Sequence, residues 1–150
     1  MLKTLEQSWP RSALRAYAER YRVEPSSFRA DGGLVLNFDN AYRVEVRVMG
    51  DSALGFFCSL VEFPDLPSLD AQRETLMELG RSALAMLRTF SCSLTLAPLG
   101  GALLLVQRVE RRDDVDEVGQ IEREMNNFLI ALRQWRRACR PMVVALNNRK

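Results

Sequence analysis

A run of strictly alternating side chains constrains the fold more than any other feature of the sequence. From Tyr42 to Val48, apolar residues alternate with arginine and glutamate. Because successive side chains of a strand point to opposite faces, this run predicts a strand with one apolar and one charged face. Asp39 and Asn40 before the run and residues 49–52 after it have the composition of turns. The run therefore predicts one strand of an antiparallel sheet.

Four other segments have the composition of strands. They lie at residues 34–38, 54–61, 92–97 and 102–109. Together with the alternating run, the first two predict a meander of three antiparallel strands. The last two are joined through Pro98 and two glycines, which predicts a two-strand hairpin. Residues 56–61 and 103–106 are apolar on both faces, so one covered face does not account for all of their side chains.

The segment before the first strand has the pattern of a helix. Apolar residues from Leu14 to Tyr21 recur at the spacing of three and four that defines one helical face. Pro10 suits the first turn of this helix, or it kinks a helix that has an earlier turn. We expect Pro25 to end the helix.

Two further helices follow the same apolar spacing. The second begins at an N-cap, Ser68, and runs to Phe90 with a broad apolar face, in which Gly80 favours close packing of another backbone. The third begins at Asp113 or Asp116 and ends at Pro141.

The order of the elements is helix, three antiparallel strands, helix, two-strand hairpin, helix. No repeat or shift in composition marks a linker within this order. The sequence therefore predicts a single α+β domain of residues 1–141, followed by a C-terminal tail of residues 142–150.

The sequence lacks the residues that most catalytic sites need. It contains no histidine, which removes the commonest general base and metal ligand. Cys58, Cys92 and Cys139 have no zinc-site spacing, and we expect them to be reduced and mostly buried. The glycine pairs at 32–33 and 100–101 match no phosphate-binding motif and predict turns. We therefore predict no enzymatic activity and no cofactor.

The densest group of carboxylates precedes the third helix. Asp113, Asp114, Asp116 and Glu117 could hold a divalent cation, but they lack the spacing and the glycine of an EF-hand. A negatively charged first turn is favoured by the helix dipole and explains the group more simply. We predict no metal site.

Charge is distributed unevenly along the chain. The net charge is +2, but all 19 acidic residues precede position 133, and six basic residues follow from that position onward. Most of these arginines close a helix whose first turns are acidic, as the dipole favours, so nucleic acid is not the expected partner. No apolar run reaches the length of a spanning helix, and the N-terminus does not have the pattern of a secretory signal. We expect a cytoplasmic protein without membrane insertion.

The apolar surface exceeds what one small sheet covers. Three helical stripes and strands that are apolar on both faces must all be buried away from water, which indicates a dimer or a bound partner. Trp9 and Trp135 are either anchors for such a partner or core residues, since both lie on apolar stripes.

Several segments in this order resemble those of a known family. They are residues 34–38 leading into 42–46, the strand of residues 55–60, the leucine-rich helix of residues 69–90, and residues 93–105 before a closing amphipathic helix. The chain thus resembles the class I chaperones of type III secretion systems over residues 5–138. Members are usually acidic overall, whereas the predicted pI of this chain is near 8.6.

The resemblance implies a homodimer, or a heterodimer with another small chaperone. The implied interface uses the second helix and adjoining strands: Leu76, Leu79, Gly80, Ala83, Leu84, Leu87, Leu94 and Leu96. It also implies that an extended segment of a secreted effector adds a strand to a sheet edge. Pockets lined by Val35, Phe57 and Val61 would choose the partner, with Trp9 and Tyr17 as further contacts.

Such a chaperone keeps its client soluble and competent for export. The alternative is a regulatory module of the same fold that sequesters a transcription factor or another chaperone.

Overall fold

The computed structural model describes residues 8–62, 73, 77, 80, 81, 91–97 and 101–147. In chain order its elements are α1 (Trp9–Arg20), a 3₁₀ turn (Pro25–Ser27), β1 (Leu34–Phe38), β2 (Tyr42–Met49), β3 (Ala53–Glu62), β4 (Ser93–Leu96), β5 (Ala102–Glu110) and α2 (Glu117–Asn147). The strands form one antiparallel sheet in the order β1-β2-β3-β5-β4. This confirms the predicted α+β class, the meander and the hairpin, and it shows that β5 joins the hairpin to the meander.

The turn between β1 and β2 is tight because of two residues in the left-handed region. Asp39 and Asn40 have φ angles of 53° and 52°. Short side chains with polar ends tolerate this conformation better than other residues that carry a Cβ atom. The Ala41 amide donates a hydrogen bond to the Phe38 carbonyl oxygen over 3.0 Å and closes the turn. The turn predicted here is confirmed.

Helices α1 and α2 pack on one face of the sheet, which we call the helix-covered face. Helix α2 contacts β3 and α1, and α1 also contacts β2. Alternation places Val46 and Phe56 on this face, where both are fully buried. The Phe56 ring meets the Phe128 ring of α2 edge to face, with 5.7 Å between centroids. The core therefore forms between this face and the two helices, and the opposite face is called the distal face below.

A β-bulge changes which side chains of β3 reach the core. Its pairing with β5 shifts register between Ser59, opposite Leu104, and Val61, opposite Leu103. A bulge places an extra residue on one strand, so two consecutive side chains can point to the same side. Leu60 and Val61 are accordingly both buried. The apolar end of β3 is thus accommodated within one chain.

Helix α1 ends earlier than predicted. It ends at Arg20 rather than continuing toward Pro25. Arg22 has a φ of 51°, and the Val23 amide donates to the Ala18 carbonyl oxygen over 2.9 Å. A residue in the left-handed region after the last turn, with an amide returning to the helix, is a common way to terminate a helix.

Helix α2 begins as predicted but ends later. The Asp116 side chain caps its first turn by accepting a hydrogen bond from the Gly119 amide over 2.9 Å, which confirms the second of the two predicted starts. The prediction that the helix ends at Pro141 is wrong, because the helix continues to Asn147. Proline removes one main-chain hydrogen bond and crowds the preceding turn, which kinks a helix without always ending it.

The predicted helix from Ser68 to Phe90 lies mostly outside the described residues. Its four described positions, Arg73, Met77, Gly80 and Arg81, are helical and exposed. The division into a domain of residues 1–141 and a tail of residues 142–150 stays a prediction.

The packing of the core predicts that two apolar residues of α2 contribute very differently to the free energy of unfolding. Phe128 is fully buried against Phe56, whereas Ile130 is 47% exposed. We expect Phe128→Ala to lower the free energy of unfolding by about 3–5 kcal/mol, because it removes the transfer energy of the ring and leaves a cavity. Ile130→Ala, the control, should change it by less than about 0.5 kcal/mol. Guanidinium denaturation measures both, and equal effects would contradict this packing.

Candidate functional site

The distal face carries one row of side chains that crosses all five strands. Val35 of β1 lies opposite Glu45 of β2, Glu45 opposite Phe57 of β3, Phe57 opposite Val106 of β5, and Val106 opposite Ser93 of β4. Val35, Phe57 and Val106 are half-buried. Because these three side chains point away from the helix-covered face, they form an apolar row on a surface on which another chain can pack.

A groove opens where β2 and β3 stop pairing, and it is lined from the distal face and, through Cys58 and Arg136, from the side of α2. The ladder between these strands ends at Glu45 and Phe57, while β3 continues along β5 to Glu62. The groove has a volume of about 380 Å³. Its lining residues are Ala41, Arg43, Glu45, Arg47, Phe57, Cys58, Ser59, Glu62, Leu104 and Arg136. We call it the distal groove.

Arginines surround Glu45 at the rim of the distal groove. Arg29 donates a hydrogen bond to Glu45 Oε2 over 2.9 Å, and Arg47 donates two to the same oxygen, over 2.8 and 3.2 Å. The hydrogen bonds from Arg47, with the positive charges of Arg47, Arg29 and Arg43, hold the pKa of Glu45 below its usual value, although partial burial opposes the shift. Glu45 is therefore a carboxylate shared among several guanidinium groups.

Arg47 also covers the aromatic part of the groove. Its guanidinium carbon lies 4.7 Å from the centroid of the Phe57 ring, within the range of a cation–π contact. The guanidinium thus links the charged rim to the apolar side chain at the centre of the distal face.

Arg136 of α2 closes one end of the groove. Its guanidinium donates to the Ala41 carbonyl oxygen over 2.7 Å and lies 4.4 Å from the centroid of the Tyr42 ring. Burial raises the pKa of the neighbouring Cys58 thiol, an effect that the positive charge of Arg136 partly offsets. Arg136 is therefore held in place by the strand that forms one wall.

The outer edge of β1 carries backbone groups that point away from β2. Phe28 forms a single bridge with Leu34, and the Arg29 amide donates to the Gly33 carbonyl oxygen over 2.8 Å. This bond shows that the backbone of Gly33 points away from β2. Since alternate residues of a strand direct their backbone groups to the same side, those of Val35 and Asn37 also point away from β2. Beyond the Phe28 bridge, no described segment pairs with this edge.

The structure separates the five predicted partner-binding residues into two groups. Val35 and Phe57 lie on the distal face, in the same row. Trp9, Tyr17 and Val61 are buried in the core, with exposures of 7%, 6% and 5%. Burial raises the pKa of the Tyr17 phenol to about 12. A role of these residues in partner binding stays a prediction.

The predicted dimer interface lies largely outside the described residues. This applies to Leu76, Leu79, Ala83, Leu84 and Leu87. The three remaining positions are described in part: Gly80 is helical and exposed, Leu94 is half-buried in β4, and Leu96 lies in β4 without a described side chain. The interface stays a prediction.

Sequence reasoning missed the charged rim. Arg43, Arg47 and Arg136 line the groove but were not predicted as site residues. The alternation between Tyr42 and Val48 already places Arg43, Glu45 and Arg47 on one face, so part of this signal was present. The position of Arg136 depends on contacts between segments far apart in sequence, which no local pattern reveals.

The cysteines are buried in the core, and the acidic residues before α2 form ion pairs or cap the helix. All three cysteines are free and buried, which confirms that prediction. Burial raises the pKa of the Cys139 thiol to about 11, and burial together with the charge of Glu124 does the same for Cys92. Asp113 and Asp114 pair with Arg111 and Arg112, and Asp116 caps α2.

The described residues contain no group of three or more cysteine, aspartate or glutamate side chains placed to hold a metal ion. None of the described helices combines the length and apolar character that crossing a bilayer requires.

The sequence matches a family model over most of its length. Residues 12–136 match the Tir chaperone protein (CesT) family. The chain belongs to this family. The resemblance to type III secretion chaperones predicted from the sequence is therefore confirmed, and the family is one of chaperones rather than of enzymes. No curated protein sequence matches the chain.

Solved structures share the fold. A chain of the HopA1–SchA chaperone–effector complex is 19% identical, with 89% of this chain and 98% of that chain covered and a TM-score of 0.62. A chain of the ExsC–ExsE complex is 17% identical, covering 85% and 90%, with a TM-score of 0.57. A chain of the complex between the Yersinia pestis type III secretion chaperone SycH and a stable fragment of YscM2 is 14% identical, covering 84% and 98%, with a TM-score of 0.54.

The buried thiols predict slow chemical modification. With the pKa of Cys92 and Cys139 near 11, the thiolate fraction at pH 8 is about 100-fold smaller than at the ordinary pKa of 9. We expect both thiols to react with Ellman's reagent at least about 100-fold more slowly in the native protein than in guanidinium. Because the native state holds these thiol protons more tightly than the unfolded state, the free energy of unfolding should fall as the pH rises from 9 toward 11. Rapid reaction of either thiol at pH 8 would contradict their burial.

Proposed function

We propose that the chain is a type III secretion chaperone that binds an extended segment of a secreted effector, or of a related client, as a dimer. The observation that carries this proposal is the edge of β1, where backbone groups of Val35 and Asn37 point away from the sheet. Membership of the Tir chaperone family and the structural likeness to a chaperone–effector complex support it. By holding the client extended, the chaperone keeps it soluble and ready for export.

Strand addition suits this task because its affinity comes mainly from hydrogen bonds to the client's main chain. An extended client segment forms backbone hydrogen bonds with β1 whatever its side chains, and alternate side chains then meet the surface of the sheet. On the distal face the first side chain they meet is that of Val35, in the row that leads to Phe57. This binding needs no nucleotide and no catalytic group. Because the client is bound before export, the protein acts in the bacterial cytoplasm.

Asn37 offers a direct test of strand addition. It is exposed, and its amide points away from β2, so Asn37→Pro removes an edge donor without removing a hydrogen bond within the sheet. We expect this change to weaken binding of an N-terminal client fragment about tenfold, through the lost hydrogen bond and the bulk of the ring. Isothermal titration calorimetry measures the affinity, with clients taken from secreted proteins encoded near this gene.

Asn37→Val is the matched control, because valine keeps the amide and suits a strand. It should bind the fragment as the unmodified protein does. Both variants should keep their melting temperature. Equal affinity of the proline and valine variants would rule out pairing at this part of the β1 edge. A bound partner that is folded and resists proteolysis would favour the regulatory module instead, since an extended client segment is protease-sensitive.

A substitution at Gly80 tests whether the proposed dimer packs closely at this glycine. It is helical, and no described residue lies within 4 Å of the position that a Cβ atom would take. A Cβ atom at this position thus meets no described residue, whereas the leucine of Gly80→Leu would block close approach of a partner helix. We expect light scattering to show the mass of two chains for the unmodified protein and of one chain for Gly80→Leu. The control Arg81→Leu, at the adjacent exposed position, should remain a dimer. A dimeric Gly80→Leu variant would exclude close packing at this glycine.

A further inference from the structure

We propose that the distal groove selects partner segments that place an acidic side chain beside an apolar one. This inference rests on the proposed function for the source of the partner and names the chemistry by which that partner is chosen. The occupant is an extended client segment, with its carboxylate at the arginine rim and its apolar side chain against Phe57 and Leu104.

The charge balance of the rim favours an incoming carboxylate. Arg29, Arg43 and Arg47 lie around a single carboxylate, Glu45, which already accepts hydrogen bonds from two of them. Arg43 is exposed and makes no ion pair with any described residue. Because one carboxylate cannot balance three guanidinium groups, the rim keeps a positive charge that a partner's carboxylate would neutralise.

The remaining charges of the groove do not reverse this balance. Glu62 lies at the far end of the lining, exposed, where β3 ends. Arg136 at that side adds a further positive charge and is held by the Ala41 carbonyl oxygen and the Tyr42 ring. Counting the lining residues with Arg29, guanidinium groups outnumber carboxylates.

The apolar contribution comes from two neighbouring strands. Phe57 of β3 and Leu104 of β5 are half-buried and point into the groove from the same side of the sheet. Its volume of about 380 Å³ lies at the lower end of the range of about 300–1,000 Å³ for pockets that hold small ligands. The groove therefore accommodates a few side chains of an extended segment rather than a folded element.

The groove is close enough to the β1 edge for one segment to use both. Val35, Glu45 and Phe57 lie in one row, so Phe57 is two strands from β1, or about 10 Å at the usual spacing of strands. A client that pairs with β1 can turn onto the distal face and reach the arginine rim within a few residues. Backbone pairing then supplies affinity that depends little on sequence, and the groove supplies the choice of client.

The charge preference can be measured with two defined peptides. The probes are fluorescein-labelled, blocked peptides of sequence GSESVSLSG and GSQSVSLSG, in which the acidic or amide side chain and the two apolar ones share one face of the extended chain; the peptides differ only in a carboxylate against an amide. In 50 mM salt, we expect the acidic peptide to bind the unmodified protein at least about fivefold more tightly by fluorescence anisotropy. Raising the salt to 300 mM should remove most of this difference, because ions screen exposed charges.

Variants of Arg43 test whether the preference for the acidic peptide depends on the arginine rim of the groove. Arg43→Gln should weaken binding of the acidic peptide about threefold and Arg43→Glu about tenfold, while binding of the amide peptide changes less than about twofold. The matched control is Arg123→Glu, the same charge change at an exposed position of α2 outside the groove lining. Circular dichroism and melting temperature confirm that each variant is folded.

Three results would overturn the inference: equal affinity of the two peptides, no binding of either, or the same loss with Arg123→Glu as with Arg43→Glu. The proposed function is tested separately by client fragments. Fragments that bind the Arg43→Glu variant and the unmodified protein equally would overturn the role of the groove and leave the chaperone function standing. If no client fragment binds but the acidic peptide is still preferred through Arg43, the chaperone function fails and the groove preference holds.

Discussion

The pairing of β3 with β5 determines both sides of this molecule. It is the longest ladder of the sheet, from Ala53 opposite Glu110 to Glu62 opposite Ala102. Because side chains alternate along paired strands, this register sends Phe56 toward the helices and Phe57 into the distal groove. A shift by one residue would exchange the two faces, exposing the core side chains of β3. The hydrophobic core and the proposed binding surface therefore depend on the same set of backbone hydrogen bonds.

The strands could be predicted from the sequence because their signals are local. Alternation from Tyr42 and turn residues at Asp39 and Asn40 are visible in single segments, and the structure places these elements where expected. The bulge between Ser59 and Val61 could not be predicted, since it depends on pairing with a strand about 40 residues away. Without it, the apolar end of β3 looks like surplus surface that needs a partner. With it, the core buries that end, and the apolar side chains that the described strands offer a partner centre on Phe57.

The candidate site, like the fold, could be predicted from the sequence only in part. The resemblance to the chaperone family predicted Phe57 as a residue that lines a pocket for the partner. Trp9 and Tyr17 were predicted on similar grounds, but an apolar stripe that faces the core and one that faces a partner have the same spacing. The distal groove requires Leu104 and Arg136 beside Phe57, a combination that exists only after the sheet and α2 have assembled. Composition also concealed it, because a net charge of +2 gives no indication that arginines concentrate at one rim.

The arginine-rich end of the chain has a structural role that its composition did not suggest. Arg136 joins α2 to the start of β2 through the Ala41 carbonyl oxygen and the Tyr42 ring, and Arg133 lies 3.4 Å from Asp39 in the turn before it. The second contact is exposed and contributes little, about 0–1 kcal/mol, whereas the first combines a hydrogen bond with a cation–π contact. Both hold the turn that joins β1 to β2 against the C-terminal helix. Since β1 carries the proposed client-pairing edge and β2 one wall of the groove, these contacts keep the two proposed binding surfaces in a constant relative position. A client that bridges them would then meet a surface that is already ordered, which lowers the entropy lost on binding.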